Sequence, residues 1–217
     1  MYQYKKLLHN LNPSDSLAIP YSKSIAFILT GQSSYDHSEL TREQRSLLTI
    51  FTRFGIKTLE TNFPYNNKHI LQKVKRPRLI LASIKNSGQF FYSVFDSQYG
   101  SLIYKHLSPC LYKRKKVFVV AGSLGLQMLA KSLTYFDTKT LKSITVFALG
   151  PVTTTQITAS HSIEMITIKG KQDYISKTFD KTPADYLVRC GHMDYYQNEE
   201  VKRIISHHLE QRYPTIS

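Results

Sequence analysis

A serine between a short apolar run and a helical segment is the residue of this chain best suited to nucleophilic chemistry. The run Lys116 to Ala121 predicts a buried strand, and the sequence AGSLG at positions 121–125 follows it directly before a predicted helix. A sharp turn there would lift the Ser123 hydroxyl above the sheet, and it needs small residues two positions to either side, as Ala121 and Gly125 are. The free N–H groups and positive dipole end of the helix would stabilise an oxyanion. Taken alone the pattern is compatible with an activated serine, but a strand followed by a glycine-rich helix start is also found in many nucleotide-binding folds.

Two further polar residues follow predicted strands later in the chain. Asp173 lies in the loop after the strand Ile163 to Ile168, and His192 lies in the sequence CGHMDY just before the last predicted helix. This order of Ser, Asp and His resembles that of the α/β-hydrolase family, and AGSLG resembles its nucleophile elbow with alanine replacing the first glycine. The resemblance extends over residues 24–212, and open α/β sheets place their sites at the carboxyl ends of strands.

The resemblance implies a role for each of the three residues. Ser123 would attack an acyl carbonyl after His192 takes its proton, and Asp173 would orient the imidazole and stabilise its protonated form. The product of this attack would be an acyl-enzyme.

The resemblance also implies an oxyanion hole with two backbone donors. The N–H of Leu124 would be the first. The second would come from the loop after the first strand, where Thr30-Gly-Gln stands in place of the family's usual His-Gly-x. We predict the N–H of Gln32, with Ser33 as the alternative donor. The change from His to Thr30 leaves the geometry of this loop open.

Each assignment has an alternative that the sequence leaves open. Ser123 could simply cap the helix that follows it. Asp194 could support the site or only begin the last helix, and Cys190 is expected to be a buried thiol. Other carboxyl and imidazole side chains of the same half of the chain compete for the acid and base roles: Asp137, Asp180, His161, His207 and His208.

Strand and helix patterns alternate along the chain, which is typical of an α/β fold with a mostly parallel central sheet flanked by helices. Predicted strands cover residues 24–30, 57–62, 116–121, 143–149, 163–168 and 186–189. Predicted helices cover residues 40–54, 79–107 with a break near 86–88, 124–133 and 199–212, whereas residues 1–20 are expected to be irregular. A stripe in the second helix is predicted to face the core: Phe90, Phe91, Val94, Phe95, Leu102 and Ile103. We predict a single domain over residues 1–217, compact and without a large cap.

Composition excludes several classes. Hydrophobic residues make up 41% and charged residues 20% of the 217 residues, which excludes collagen-like, coiled-coil and wholly disordered chains. No apolar run approaches the roughly 20 residues of a membrane-spanning helix. The N-terminus does not resemble a secretory signal, and the two cysteines fit a reducing compartment, so a cytoplasmic location is expected. Metal-ligand spacings and phosphate-binding glycine motifs are missing, so we expect no metal and no cofactor.

The charge is strongly positive. Lys and Arg number 29 against 15 Asp and Glu, a formal net charge of +14 that would attract polyanions. The basic residues cluster at 68–78 and 113–116, but the sequence has no zinc-finger, RNA-recognition or basic-zipper motif, so we expect no specific nucleic-acid partner. Peripheral contact with an anionic surface and simple solubility both remain open.

The predicted function is hydrolysis of carboxylic esters or thioesters, with a small-molecule or lipid-like acyl compound as substrate. Residues 151–162 are too few for a lid, so the site should be open. Candidates for its substrate-binding wall are Ser33, Phe63, Tyr65, Met193, Tyr195 and Tyr196. All of these except Ser33 could equally be ordinary core or rim residues. Two alternatives remain: an acyltransferase on the same fold, and a non-catalytic basic module that binds a protein or an anionic membrane.

Overall fold

The central sheet of the protein is parallel throughout. The structure, a computed structural model, describes residues 2–16, 22–31, 38–70, 88–112, 114–137, 143–157 and 163–213. Within these ranges six strands form one sheet in the order β2-β1-β3-β4-β5-β6, and every neighbouring pair is parallel. The strands are β1 (Ser24–Thr30), β2 (Lys57–Thr58), β3 (Lys116–Gly122), β4 (Ile144–Leu149), β5 (Ile163–Gly170) and β6 (Tyr186–Val188). The predicted α/β class with a mostly parallel sheet is confirmed.

Helices flank this sheet. They are α1 (Tyr2–Asn10), α2 (Arg42–Arg53), α3 (Asn67–Ile70), α4 (88–95), α5 (Tyr99–Leu111), α6 (Gly125–Leu133), α7 (Tyr174–Phe179) and α8 (Glu199–Glu210). None of the helices in the described part of the chain has the length and apolar character needed to cross a membrane.

Two predicted elements are wrong in extent. Residues 1–20 are not irregular throughout, because α1 and a short 3₁₀ turn (Pro13–Asp15) lie there. The second strand covers two residues instead of the six from 57 to 62. Its pairing with β1 ends early because the chain leaves the sheet edge after Thr58.

The strands at the centre of the sheet are buried on both faces, which explains their continuous apolar sequences. Alternate side chains of β1, β3 and β4 enter two separate clusters. Phe27 and Val119 point to the side of α1, α5 and α6, whereas Ile28 and Phe147 point to the side of α2 and α8. The strand ends are thereby held rigidly, which is what a site built on the following loops requires.

The predicted helix over 79–107 differs from the structure in two ways. Residues 79–87 lie outside the described ranges, and the interruption that is seen falls at 96–98, between α4 and α5. The stripe is therefore split: Leu102 and Ile103 are buried, but Phe91, Val94 and Phe95 are exposed. The two helices have independent axes, so a periodicity counted across the break does not describe one face.

Candidate active site

Ser123 occupies the turn between β3 and α6 with its backbone in the left-handed region, at φ 51°. Such a conformation costs a non-glycine residue about 1–3 kcal/mol, and it persists only where the surroundings hold it. Here the Ser123 N–H donates to the Leu149 carbonyl (3.0 Å), and its carbonyl accepts from the Val152 N–H (3.1 Å). The neighbouring strand β4 and the loop after it therefore fix the turn.

Small residues beside Ser123 are required by the packing of this turn. A Cβ atom at Gly125 would overlap the Leu29 carbonyl at the end of β1, and one at Gly122 would overlap the Tyr196 hydroxyl. The start of α6 thus lies directly against β1. This contact is the physical reason for the glycine two positions after the serine.

The structure brings together the three residues that the sequence resemblance grouped. The Ser123 Oγ lies 3.0 Å from His192 Nε2. On the other side of the ring, Nδ1 lies 3.0 and 2.9 Å from the two carboxylate oxygens of Asp173. Ser123 follows β3, Asp173 follows β5 and His192 follows β6, so three separate parallel strands deliver the groups to one edge of the sheet.

The strand order and the positions of Ser123, Asp173 and His192 together identify the fold. The serine lies on a strained turn between a central strand and a helix, and the acid and the histidine follow later strands in that order. The chain has an α/β-hydrolase fold.

Three solved structures are similar to this α/β-hydrolase fold. A protein of unknown function from Agrobacterium tumefaciens, described as a candidate α/β hydrolase, is 15% identical with a TM-score of 0.49, over 87% of this chain and 85% of that one. A candidate hydrolase of the α/β superfamily from Xanthomonas campestris pv. campestris is 14% identical with a TM-score of 0.47, over 87% and 99%. An α/β serine hydrolase homologue from Coxiella burnetii is 11% identical with a TM-score of 0.44, over 88% and 85%. No family model and no curated protein matches the sequence.

The carboxylate of Asp173 is fully buried and saturated with donors. The Ser176 N–H donates to Oδ1 (2.9 Å), which makes Asp173 the N-cap of α7, and the Tyr195 hydroxyl donates to Oδ2 (2.7 Å). Burial alone raises the pKa of this carboxyl, but the hydrogen bonds from His192, Ser176 and Tyr195 outweigh it and lower the pKa. Asp173 therefore stays ionised opposite the imidazole.

Tyr195 is the residue that positions this acid. Its hydroxyl donates to Asp173 and accepts from the Gly170 N–H (2.6 Å) at the end of β5. Burial, followed by the bond to the Asp173 carboxylate, raises the pKa of Tyr195, so it remains a neutral donor. Tyr195 was a candidate for the substrate-binding wall or for the core, and its side chain is buried between the acid and the core.

We expect Tyr195→Phe to destabilise the protein by about 2 kcal/mol, since a buried N–H and a carboxylate each lose a partner. Turnover should fall roughly 10-fold because the acid is less firmly held. Urea unfolding and steady-state kinetics measure the two effects. Tyr92→Phe is the matched control, because the buried Tyr92 hydroxyl has no hydrogen-bond partner in the structure. An equal loss in both variants would contradict the positioning role.

The first predicted donor of the oxyanion hole is the backbone N–H of Leu124. Leu124 stands at the N-terminus of α6, where a backbone N–H has no acceptor within the helix. The predicted second donor Gln32 and its alternative Ser33 lie outside the described residues. Thr30, just before them, is held by Asn62, which accepts from the Thr30 N–H (3.2 Å) and donates to its hydroxyl (2.6 Å). Asn62 thus holds the end of β1 in place.

The loop after β4 is tied to the serine's own helix by a residue that the sequence analysis missed. Gln127, fully buried on α6, accepts through Oε1 from the Thr153 hydroxyl (2.7 Å) and from the N–H groups of Thr154 (3.1 Å) and Thr155 (3.3 Å). The available signal was a glutamine among the apolar residues of a core helix. The loop and the serine turn are therefore fixed to each other.

Other members of the predicted substrate-binding wall lie in the core. Phe63 and Tyr65 have no exposed surface; the Phe63 ring packs on Tyr65 and His106, and the Tyr65 hydroxyl donates to the Ile28 carbonyl. Of the two alternatives for Phe63 and Tyr65, wall or core, the burial favours core residues under the end of β1. Met193, by contrast, is 69% exposed next to His192.

The competing residues have other partners. Asp180 pairs with the buried ammonium of Lys169 (3.2 Å), and His208 contacts the Tyr186 hydroxyl (3.1 Å). Asp194 accepts from the Gly191 N–H (3.1 Å) and so shapes the loop that carries His192. Burial raises the pKa of the Cys190 thiol to about 11, which makes it a poor nucleophile. His161 lies outside the described residues.

The described residues cover only part of the chain that concerns metal binding and the basic clusters. There, no group of three or more His, Cys, Asp or Glu side chains is arranged to hold a metal ion. Most of the basic cluster at 68–78 and Lys113 lie outside these ranges. Lys116 begins β3, at the edge of the sheet opposite Ser123, and its ammonium lies 4.3 Å from the centre of the Tyr213 ring.

Proposed function

We propose that this protein is a serine hydrolase that cleaves carboxylic esters or thioesters through an acyl-enzyme. The single observation that carries the proposal is the unbroken hydrogen-bonded line from the Asp173 carboxylate through His192 to the Ser123 hydroxyl. A buried carboxylate and an imidazole in this order make a serine nucleophilic.

In the acylation half, His192 Nε2 accepts the hydroxyl proton as Ser123 Oγ bonds to the acyl carbon. The carbonyl oxygen becomes an oxyanion, and the Leu124 N–H donates to it. Asp173 accepts from His192 Nδ1–H and stabilises the imidazolium. As the oxyanion collapses, the bond to the leaving alcohol or thiol breaks, and that group takes the proton from His192.

In the deacylation half, water replaces the leaving group. His192 takes a proton from the water while its oxygen attacks the acyl-serine carbonyl. Collapse of the second oxyanion releases the carboxylic acid, and the proton returns to Ser123 Oγ. The loop that Gln127 holds in place also donates the Val152 N–H to the Ser123 carbonyl, which supports the serine turn in both halves.

A fluorophosphonate probe tests this function, because it labels only activated serines. We expect the wild-type protein to be labelled, Ser123→Ala to be unlabelled, and His192→Ala to be labelled at least about 10³-fold more slowly. Ser97→Ala, which changes an exposed serine after α4, should be labelled like the wild type. A screen of p-nitrophenyl esters and acyl thioesters then defines the substrate. A folded wild-type protein that resists the probe would overturn the proposal.

A further inference from the structure

Large apolar side chains are exposed on two helices beside the site. Phe95 is 79%, Tyr174 74% and Phe91 56% exposed. Six of the nine exposed large hydrophobic residues in the described part of the chain lie on α4 and α7, and we call them the α4–α7 face: Phe91, Val94, Phe95, Tyr174, Ile175 and Phe179. A cluster of this kind is a mark of an interaction surface, whereas single exposed hydrophobics are not.

The two helices form one continuous surface. The rings of Phe90 on α4 and Phe179 on α7 meet edge to face, with centroids 5.2 Å apart. Phe91 and Phe95 lie stacked at 6.4 Å on the outer side of α4, and Ile175 lies one helical turn before Phe179. The α4–α7 face is therefore a continuous apolar surface that extends from one helix to the other.

Part of the α4–α7 face lies next to Asp173 in the chain. Helix α7 begins at the residue after Asp173, so Tyr174 and Ile175 are chain neighbours of the acid. Met193, the residue after His192, is also exposed. A membrane or molecule bound to the α4–α7 face would contact the helix that Asp173 caps, and Asp173 is bonded to the histidine that contacts Ser123.

Lysines surround the apolar side chains of α7. Lys171, Lys177 and Lys181 are exposed, and within the described residues none of them has a carboxylate partner. Lys177 donates to the Lys171 carbonyl (2.6 Å) and lies 5.4 Å from the centre of the Tyr174 ring, and Lys181 donates to the Lys177 carbonyl (3.0 Å). The two acids at the ends of α7 are buried, against His192 and Lys169.

We propose that the α4–α7 face docks on an anionic lipid bilayer, and that Ser123 hydrolyses acyl esters carried in that bilayer. The second clause rests on the hydrolase function proposed above. Aromatic rings with lysines among them match the boundary of a membrane, where rings enter the acyl region and ammonium groups meet lipid phosphates. An acidic protein partner would pair with the lysines, but it would also need an apolar patch of its own to cover Phe91 and Phe95.

Sedimentation with large unilamellar vesicles tests the docking. We expect the protein to bind phosphatidylglycerol–phosphatidylcholine vesicles and to bind pure phosphatidylcholine at least about 10-fold more weakly. The double variant Phe91→Ser/Phe95→Ser should lose roughly 10-fold or more in binding to the anionic vesicles. Lys177→Glu/Lys181→Glu should lose a similar amount. Tyr135→Ser, which removes an exposed aromatic ring just past the far end of α6, should bind like the wild type.

Kinetics with two substrates test whether Ser123 hydrolyses acyl esters carried in the bilayer. Phe91→Ser/Phe95→Ser should hydrolyse an acyl ester embedded in anionic vesicles about 10-fold more slowly, yet hydrolyse soluble p-nitrophenyl acetate at the wild-type rate. Fluorophosphonate labelling of Ser123 separates the two proposals. Labelling without vesicle binding would overturn the docking and support the hydrolase; vesicle binding without labelling would support the docking and overturn the hydrolase.

Two further outcomes would overturn the docking. One is vesicle binding that Phe91→Ser/Phe95→Ser leaves unchanged, because the contact would then be electrostatic and elsewhere. The other is a dimer, seen by sedimentation velocity without lipid, that the same variant converts to a monomer, because a second copy would then be the occupant of the α4–α7 face.

Discussion

Replacing Asp173 by asparagine is expected to lower the turnover of an ester by about 10⁴-fold while the protein stays folded. The asparagine carbonyl still accepts from the Ser176 N–H, so α7 keeps its cap. The amide NH₂ group, however, faces His192 Nδ1 as a donor. The imidazole must then carry its proton on Nε2, where it cannot accept the proton of Ser123.

Steady-state kinetics and circular dichroism on purified protein measure this effect. Asp185→Asn is the matched control, since the Asp185 carboxylate accepts from the Thr167 N–H (2.7 Å) and has no contact with the histidine. It should keep turnover within a factor of two or so of the wild type. A reduction of less than about 10-fold in Asp173→Asn would show that this carboxylate does not control the tautomer of His192.

Replacing Gly125 by alanine is expected to destabilise the fold by about 3 kcal/mol, at the upper end of what overpacking costs. The added Cβ would overlap the Leu29 carbonyl, and both groups belong to backbone that is hydrogen-bonded on either side. For a chain of this size the melting temperature should fall by roughly 6–12 °C. The serine turn must shift to relieve the overlap, so fluorophosphonate labelling of the folded protein should slow as well.

Thermal denaturation and labelling at a temperature where both proteins are folded check this prediction. Gly88→Ala is the control, because a Cβ at Gly88 would meet no atom within 4 Å. It lies in α4, where alanine is the better helix former, so its melting temperature should be unchanged or slightly higher. If Gly125→Ala melts with the wild type, the contact between α6 and β1 is looser than the structure describes.

The central sheet could be predicted because its strands are buried on both faces. β1, β3 and β4 therefore appear as nearly continuous apolar runs, and the polar residues after them stand out as loop residues. That is also why Asp173 and His192 could be located once the family's order was recognised. The structure adds the distances, which no sequence pattern contains.

The helices next to the site were less predictable, since periodicity tells which residues share a face but not what that face contacts. Phe91 and Phe95 have helical spacing and were assigned to the core, yet they face outward. Helix α1 was missed for a related reason. It is held by tertiary contacts, namely Tyr4 on Tyr92 and the Leu8 carbonyl on His106.

The supporting roles of three residues of the site were not predicted, because their partners are distant in the sequence. Tyr195 contacts a carboxylate 22 positions away, Gln127 holds a loop 26 to 28 positions away, and Asn62 holds Thr30 across 32 positions. Nothing in the sequence immediately around Tyr195, Gln127 or Asn62 indicates that the side chain supports the site. Only the assembled fold shows that these three side chains fix the acid, the loop and the end of β1.

Ser123 and Asp173 would accumulate substitutions differently if the activity of the protein were no longer under selection. Ser123 is strained, so glycine at that position would relieve the left-handed conformation and be favoured. Asp173 holds the start of α7, so the fold would continue to select it. Among descendants of this chain, an aspartate at position 173 would therefore say little about retained chemistry, whereas the residue at position 123 would report it directly.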